Sequence, residues 1–519
     1  MLPPYVNEPL TDFSRPDEQA AFARALETAK AELGRTYPLV IGGQSVPLDQ
    51  TFASINPARP AEVIANVADG TAEHADQAIA AATEAFKTWQ YVAVEERARY
   101  LFKAAAEMRR RKHEFSAMMV LEVGKSWAEA DADTSEAIDF LEYYARQGIR
   151  LFNSSNLLTP FPNEEDSLYY IPLGVGAVIP PWNFAVAIVT GMVGACLVTG
   201  NTIVLKPAEQ SPWVAYRMCE LFWNQGLPAG VLNYITGPGE VVGARMVEHP
   251  QTRFVTFTGS KPVGVGIYEQ AAKVQPGQKW LKRAILEMGG KDAVLVDETA
   301  NLESAAQGIV ASAFGFQGQK CSAGSRAIIV DSVYDHVAER VVDLAGKLTV
   351  GATDPSHTID LGPVIDNDSW RKIMDYIELG TQEGKLLLGG SPIDTPEGGY
   401  FIPPTIFGDV SRDARIATEE IFGPVLTMMR ASDFDDALDI ANSTEFGLTG
   451  AVYTMDRERL EQARREYHVG NLYLNRKCTG AMVGVHPFGG FNMSGTDSKA
   501  GGPDYLLLYT QAKAVGERL

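Results

Sequence analysis

Cys321 is the residue with the surroundings most suited to reaction. It stands in FGFQGQKCSAGSR, after a glycine-rich turn and beside Lys320. A thiolate nucleophile needs nearby positive charge or oriented backbone N–H groups, together with access. Gly315, Gly318 and Gly324 would let the backbone approach a ligand closely. A lone cysteine is more often a small buried hydrophobe, so residue type alone leaves both readings open. Glu287, in LEMGGK, stands where an expected strand runs into Gly289-Gly290. A carboxylate there can be a general base if burial raises its pKa, or simply a solvated turn residue. FTGSKPVG reads as a strand, Gly259-Ser260, and a helix whose first N–H groups would suit a phosphate, although it is not GxGxxG. GPGEVVG (237–243) is a similarly imperfect match. LKPAEQSP puts Lys206 and Glu209 just past a strand end, where an α/β sheet binds the ribose and adenine half of a dinucleotide. A surface ion pair is the alternative reading of those two residues.

The elements that would position these groups fall into three stretches. Residues 15–36 read as a polar amphipathic helix, and YPLVIGGQSV as a hairpin turning at Gly42-Gly43. Residues 71–118 carry Ala, Phe and Leu among charges at helical spacing, which predicts long surface helices, with another over 126–150. From residue 168 short apolar strands alternate with helices, one of them SPWVAYRMCELFWNQ with Ser211 as expected N-cap and Pro212 in its first turn. A second alternation begins at KDAVLVD. Alternation at this spacing implies right-handed crossovers and parallel sheets. Ser167–Leu205 carries no formal charge, and Phe184–Thr199 is apolar throughout. That run is shorter than the roughly 20 residues of a spanning helix, and Pro180, Pro181, Gly200 and Asn201 bound it, so a buried helix is expected.

At 519 residues the chain has room for about three domain-sized units. Its 45 basic and 65 acidic residues leave a net charge of −20, which argues against a nucleic-acid partner. Cys196, Cys219, Cys321 and Cys478 are too few for a disulfide framework and suit free thiols in a reducing, cytoplasmic setting. No secretory signal pattern opens the chain. The seven histidines are scattered, without HExxH, and there is no CxxC, so no metal site is expected.

Taken in order, PWNF (181–184), KPAE (206–209), FTGS (257–260), LEMGGK (286–291), FGFQGQKCSAG (314–324), EEIFGPV (419–425) and PFGGFNMSG (487–495) resemble the NAD(P)-dependent aldehyde dehydrogenase superfamily over about residues 38–515. Further stretches, among them NRKCTGAMVGVHPFGG and SGTDSKAGGPDYLLLYTQAK, resemble the free-standing branch that oxidises L-glutamate γ-semialdehyde, the hydrolysed form of Δ1-pyrroline-5-carboxylate, to L-glutamate in the second step of proline degradation.

The resemblance implies an α/β fold. A Rossmann-like NAD domain would span 38–150 and 172–288, and a catalytic domain 289–485. An oligomerisation flap would be built from 151–171 and 500–519, after an N-terminal extension of 1–37. It makes Cys321 the nucleophile, Asn183 an oxyanion donor and Glu287 the base for thioester hydrolysis. CoA-acylating relatives lack that carboxylate, so a free acid is the implied product. Trp182, Lys206, Glu209, Gly259, Ser260, Glu420 and Phe422 would hold NAD. NAD is preferred because the Glu209 carboxylate repels a 2′-phosphate, though some relatives also accept NADP. Glu136 would face the substrate ammonium, Phe184 and Phe488 its chain, and Ser322, Gly480 and Ala481 its carboxylate, with Arg476 and Lys477 as a second option. A homo-oligomer and a proline dehydrogenase partner are implied. The competing expectations are another semialdehyde or broad-specificity aldehyde dehydrogenase, and a catalytically silent member of the fold.

Overall fold

The computed structural model describes residues 3–153, 158–496 and 498–519. Residues 1–2 of the expected extension and 154–157 of the expected flap lie outside the described residues.

One seven-stranded sheet is built around five parallel strands in the spatial order Leu232–Tyr234, Thr202–Leu205, Val175–Ile179, Thr252–Thr258, Arg283–Glu287. Chain order reverses between Val175–Ile179 and Thr252–Thr258, which is where an open α/β sheet binds a ligand beyond its carboxyl ends. The residues that follow those two strands are Pro180 to Phe184 and Gly259-Ser260. The hairpin Leu39–Ile41/Gln44–Val46 closes one edge, turning at Gly42 and Gly43 with φ of 60° and 75°, as expected for a two-residue turn. A second seven-stranded sheet runs Lys385–Leu388, Thr405–Gly408, Val425–Ala431, Arg326–Val330, Ala293–Val296, Thr449–Tyr453, Asn471–Leu474. Its central strands are buried on both faces and, Arg326 apart, apolar, as parallel strands under helices must be. A separate ribbon pairs Glu164–Pro172 with Thr510–Arg518 across nine positions.

Two local expectations change and a third holds. The helix Lys112–Val123 is not a surface helix, because Phe115–Val123 is buried throughout. Ser211 precedes the helix Pro212–Trp223 without capping it. The free N–H groups of Trp213 and Val214 donate instead to the buried Glu122 carboxylate (2.8 and 3.0 Å), which also accepts from Ser54 Oγ (3.0 Å). A full carboxylate reaching in from another helix satisfies two orphan donors where a serine satisfies one. Burial outweighs these bonds and pushes the Glu122 carboxyl up to about 7. The apolar run folds as the buried helix Ala187–Val198. Among the described residues no helix is long and apolar enough to cross a membrane.

Candidate active site

The cleft lies at the strand-order reversal. It encloses about 200 Å³, and its walls include Trp182, Asn183, Ser260, Cys321, Glu420 and Phe422. The loop carrying Cys321 follows the helix Leu302–Phe314 and turns left-handed at Phe316, Gln317 and Gly318. At Gly318 a Cβ would lie 2.2 Å from the Gly423 carbonyl, so only glycine fits. The two non-glycine residues are held there by contacts from elsewhere. Gln317 donates to Pro363 O (2.8 Å), Gln319 accepts from Ile365 N–H (2.9 Å), and Asn183 Nδ2 donates to Gln319 O (3.1 Å). That last bond ties Asn183 to the loop that carries the thiol and uses one of its two amide hydrogens.

Cys321 is the only one of the four cysteines that is not buried, and all four are free. Lys320 does not serve its thiol as the local sequence suggested. The ammonium is instead paired with Glu129 (2.7 Å). Desolvation, and then the negative fields of Asp292, Glu287 and Glu420, push the Cys321 thiol well above the usual thiol range.

Glu287 closes the strand Arg283–Glu287, and its charge acts on the Cys321 thiol. Its Oε1 accepts from Ser498 Oγ (2.6 Å), and a Cβ on Gly489 would come within 2.8 Å of that oxygen. The PFGG segment thus packs onto the carboxylate.

The dinucleotide side is consistent with the residues present. A Cβ on Gly289 would lie 2.2 Å from the Glu420 carboxylate, whose Oε1 accepts from Gly290 N–H (3.1 Å). Gly289 is therefore needed for the close approach of Glu420, and Gly290 for that of the Cys321 carbonyl, which a Cβ would meet at 2.6 Å. Burial raises the Glu420 pKa, and Lys372 and Lys291 oppose that shift. Trp182 packs edge-to-face on Phe422 (5.7 Å), which itself has φ of 61°. Ser260 precedes the helix Lys261–Ala272 without capping it through its side chain, and Gly259 lines the cleft beside it. Lys206 and Glu209 are not around Cys321. They pair at 2.6 Å beyond the strand Thr202–Leu205, with Gly239 and Gly243 of the GPGEVVG segment packed against them. A carboxylate, an ammonium and open helix N–H groups along one sheet edge suit ribose hydroxyls and a pyrophosphate.

On the other side, the helix Trp127–Phe152 presents Glu129, Asp133 and Glu136 at helical spacing. Asp133 accepts from Lys125 Nζ (2.6 Å) and from Ala187 N–H (2.6 Å). Lys125 is fully buried between the rings of Phe184 and Phe316, 4.6 Å from each centroid. Glu136 is partly buried, and desolvation with the neighbouring Asp133 charge raises its pKa to about 8. Ser322 is buried behind Cys321, and its carbonyl accepts from Cys478 Sγ (3.4 Å). Phe488 is fixed by two 2.8 Å backbone bonds with Ala500. Arg476 Nη2 donates to the carbonyls of Thr479 (2.9 Å) and Gly480 (3.0 Å). In trans peptides the N–H points opposite to the C=O, so this clamp aims the Gly480 and Ala481 N–H groups away from Arg476. The guanidinium thus organises that loop.

Sequence reasoning missed Ser498, Ser369, Lys372, Lys125 and Asp133. Ser369 and Lys372 line the cleft from the helix Asn367–Glu383, and only the EVGK and EADAD stretches carried a hint of the buried pair.

Residues 45–515 match the Aldehyde dehydrogenase family, and the chain belongs to that family. It is 59% identical over 518 residues, covering all of both chains, to a 1-pyrroline-5-carboxylate dehydrogenase of Geobacillus thermodenitrificans. The solved structure of 1-pyrroline-5-carboxylate dehydrogenase from Thermus with bound NAD superposes with a TM-score of 0.98 at 51% identity, again covering all of both chains. Proline utilization A from Bdellovibrio bacteriovorus matches 99% of this chain with 53% of its own length, at 45% identity and a TM-score of 0.97.

Proposed function

We propose that this chain oxidises L-glutamate γ-semialdehyde to L-glutamate with NAD, the second step of proline degradation. The observation that carries the reading is the cleft in which Cys321 and Asn183 meet. The Gly480 and Ala481 N–H groups turned away from Arg476, and the Glu136 carboxyl, support an amino-acid head group as the other end of the substrate. Relatives 59% and 51% identical over their whole length bear the name of that activity.

In this reading the Cys321 thiolate attacks the aldehyde carbon and its sulfur forms a thiohemiacetal. The second Asn183 amide hydrogen and the Cys321 N–H receive the oxyanion, each such donor contributing about 3 kcal/mol in the transition state. Burial and the fields of Asp292, Glu287 and Glu420 oppose thiolate formation in the free site. Glu420, Ser260, Lys206 and Glu209 hold NAD, with Trp182, Gly259 and Phe422 shaping its cleft. When bound, NAD supplies the hydride acceptor, and a thioester remains on Cys321. Glu287, steadied by Ser498, activates the water that releases the acid. Ser322, Gly480 and Ala481 hold the α-carboxylate, Glu136 faces the ammonium, and Phe184 and Phe488 flank the methylenes.

The domain division at 38–150 with 172–288, 289–485, and 151–171 with 500–519 belongs to the same reading, as does cytoplasmic localisation. The exposed ribbon, with Tyr169 54% and Ile171 36% accessible, supports a homo-oligomer in which the ribbon meets another copy. The likeness to proline utilization A supports a working link to a proline dehydrogenase.

The test is a steady-state comparison of glutamate semialdehyde with succinate semialdehyde, each with NAD and with NADP. Higher kcat/KM for glutamate semialdehyde with NAD is expected. Equal or better turnover of succinate semialdehyde would remove the substrate assignment.

A further inference from the structure

The segment Tyr5–Glu8 lies ahead of the family match and crosses between two parts of the site that are far apart in sequence. Tyr5 OH and Asn7 Nδ2 both donate to the carbonyl of Val483, at 3.2 and 3.0 Å. Val483 is buried two residues beyond Ala481. Asn7 Nδ2 also donates to Asp139 Oδ2 (2.8 Å), and Glu8 N–H donates to Asp139 Oδ1 (2.7 Å). Asp139 lies one helical turn after Glu136 on the helix Trp127–Phe152. The Tyr5 ring packs edge-on against Tyr143 of that helix and touches the loop at Gly484, where φ is +76° and a Cβ would come within 2.9 Å of the ring. Further along, Glu8 pairs with Arg109 (2.7 Å), and Thr11 N–H and Oγ1 donate to the two Asp131 oxygens (2.8 and 2.5 Å). The segment is therefore fastened at both ends to the helices and holds the loop at its middle.

We propose that Tyr5 and Asn7 form a strap that positions the Gly480–Ala481 loop against the helix bearing Glu136. In doing so the strap sets the selectivity for an aldehyde with an amino-acid head group. The proposal rests on the substrate reading above. The loop's own sequence, TGAMVG, is rich in small residues, and its position has to come from contacts outside it. Tyr5 and Asn7 touch no reacting atom and are positioning residues.

The experiment compares Tyr5→Phe, Asn7→Ala and the double variant with the wild type, using glutamate semialdehyde and propanal as substrates. For the double variant we expect KM for glutamate semialdehyde to rise roughly five- to tenfold, kcat to stay within about twofold, and kcat/KM for propanal to stay within about twofold. Hydrogen exchange should quicken at 479–485 and remain unchanged at 314–324. Equal loss on both substrates, or no change in exchange at 479–485, would overturn the strap. If the double variant folds poorly, Tyr5→Phe alone carries the same comparison, because it removes one hydroxyl and keeps the ring. A wild type without preference for glutamate semialdehyde over propanal would instead sink the substrate reading, and the exchange data would then decide the strap on their own.

Discussion

Along the strand-end wall of the cleft, from Asn183 to Ser260 and Gly290, the polar groups are largely peptide N–H and amide donors. Along the helix Trp127–Phe152 they are side-chain ions, with Glu129 and Asp133 paired to Lys320 and Lys125 and Glu136 held neutral at pH 7. The first wall meets an anion with backbone and amide donors as well as with Lys206 and Lys372, which suits a chain of net charge −20. The second wall uses buried ions to fix aromatic rings in place, and it depends on every partner being present. Substitutions should therefore act differently on the two sides.

The largest effect is expected where both walls converge. Cys321→Ala should lower kcat by more than about 10³-fold while NAD still binds. Retained activity with the semialdehyde would end the covalent mechanism. On the helix wall, Lys125→Met should cost about 3–5 kcal/mol of stability by leaving Asp133 buried without its cation, read as a lower denaturation midpoint. On the strand-end wall, Gly289→Ala pushes the Glu420 carboxylate aside. It should raise KM for NAD on the order of tenfold with little change in stability. If Lys125→Met left stability unchanged, or Gly289→Ala unfolded the protein, the contrast between the walls would fail.

The smallest effect concerns pH. Glu136 has a folded pKa of about 8, above its ordinary value of 4.5, so the folded state binds the extra proton. Its contribution to stability is fully present below about 4.5 and is lost as pH rises through about 8. The melting temperature of Glu136→Gln relative to wild type should therefore climb between pH 5 and pH 9. The ratio of wild-type to variant kcat/KM for glutamate semialdehyde should rise over the same range, because the ammonium needs the ionised carboxylate. A flat ratio would take Glu136 out of substrate binding.

Much of the strand-end wall was legible in the chain because glycine, proline and strand endings mark it locally. The helix wall was half legible. The 129, 133, 136 spacing places the three acids on one face, but nothing near them in sequence names Phe184, Phe316 or Ala187 as their neighbours. Ser211 and Lys320 show why local reading fails there. Ser211 is a good cap by type, displaced by a carboxylate 91 residues before the Trp213 N–H that it accepts from. Lys320 is adjacent to the thiol in sequence and committed to Glu129 in space. Ser498 and the cleft residues of Asn367–Glu383 were illegible for a similar reason. Their chemistry exists only once the second sheet has closed against the first.

The ribbon of Glu164–Pro172 and Thr510–Arg518 also bears on how the chain is made. At about 5–20 residues per second, a ribosome completes the second strand on the order of tens of seconds after the first has emerged. Throughout that interval the earlier strand has both edges open, with Leu168, Tyr169 and Ile171 available to any other nascent chain. Glu164, Glu165 and Asp166 at its start set three negative charges beside those apolar residues until Thr510–Arg518 pairs with them.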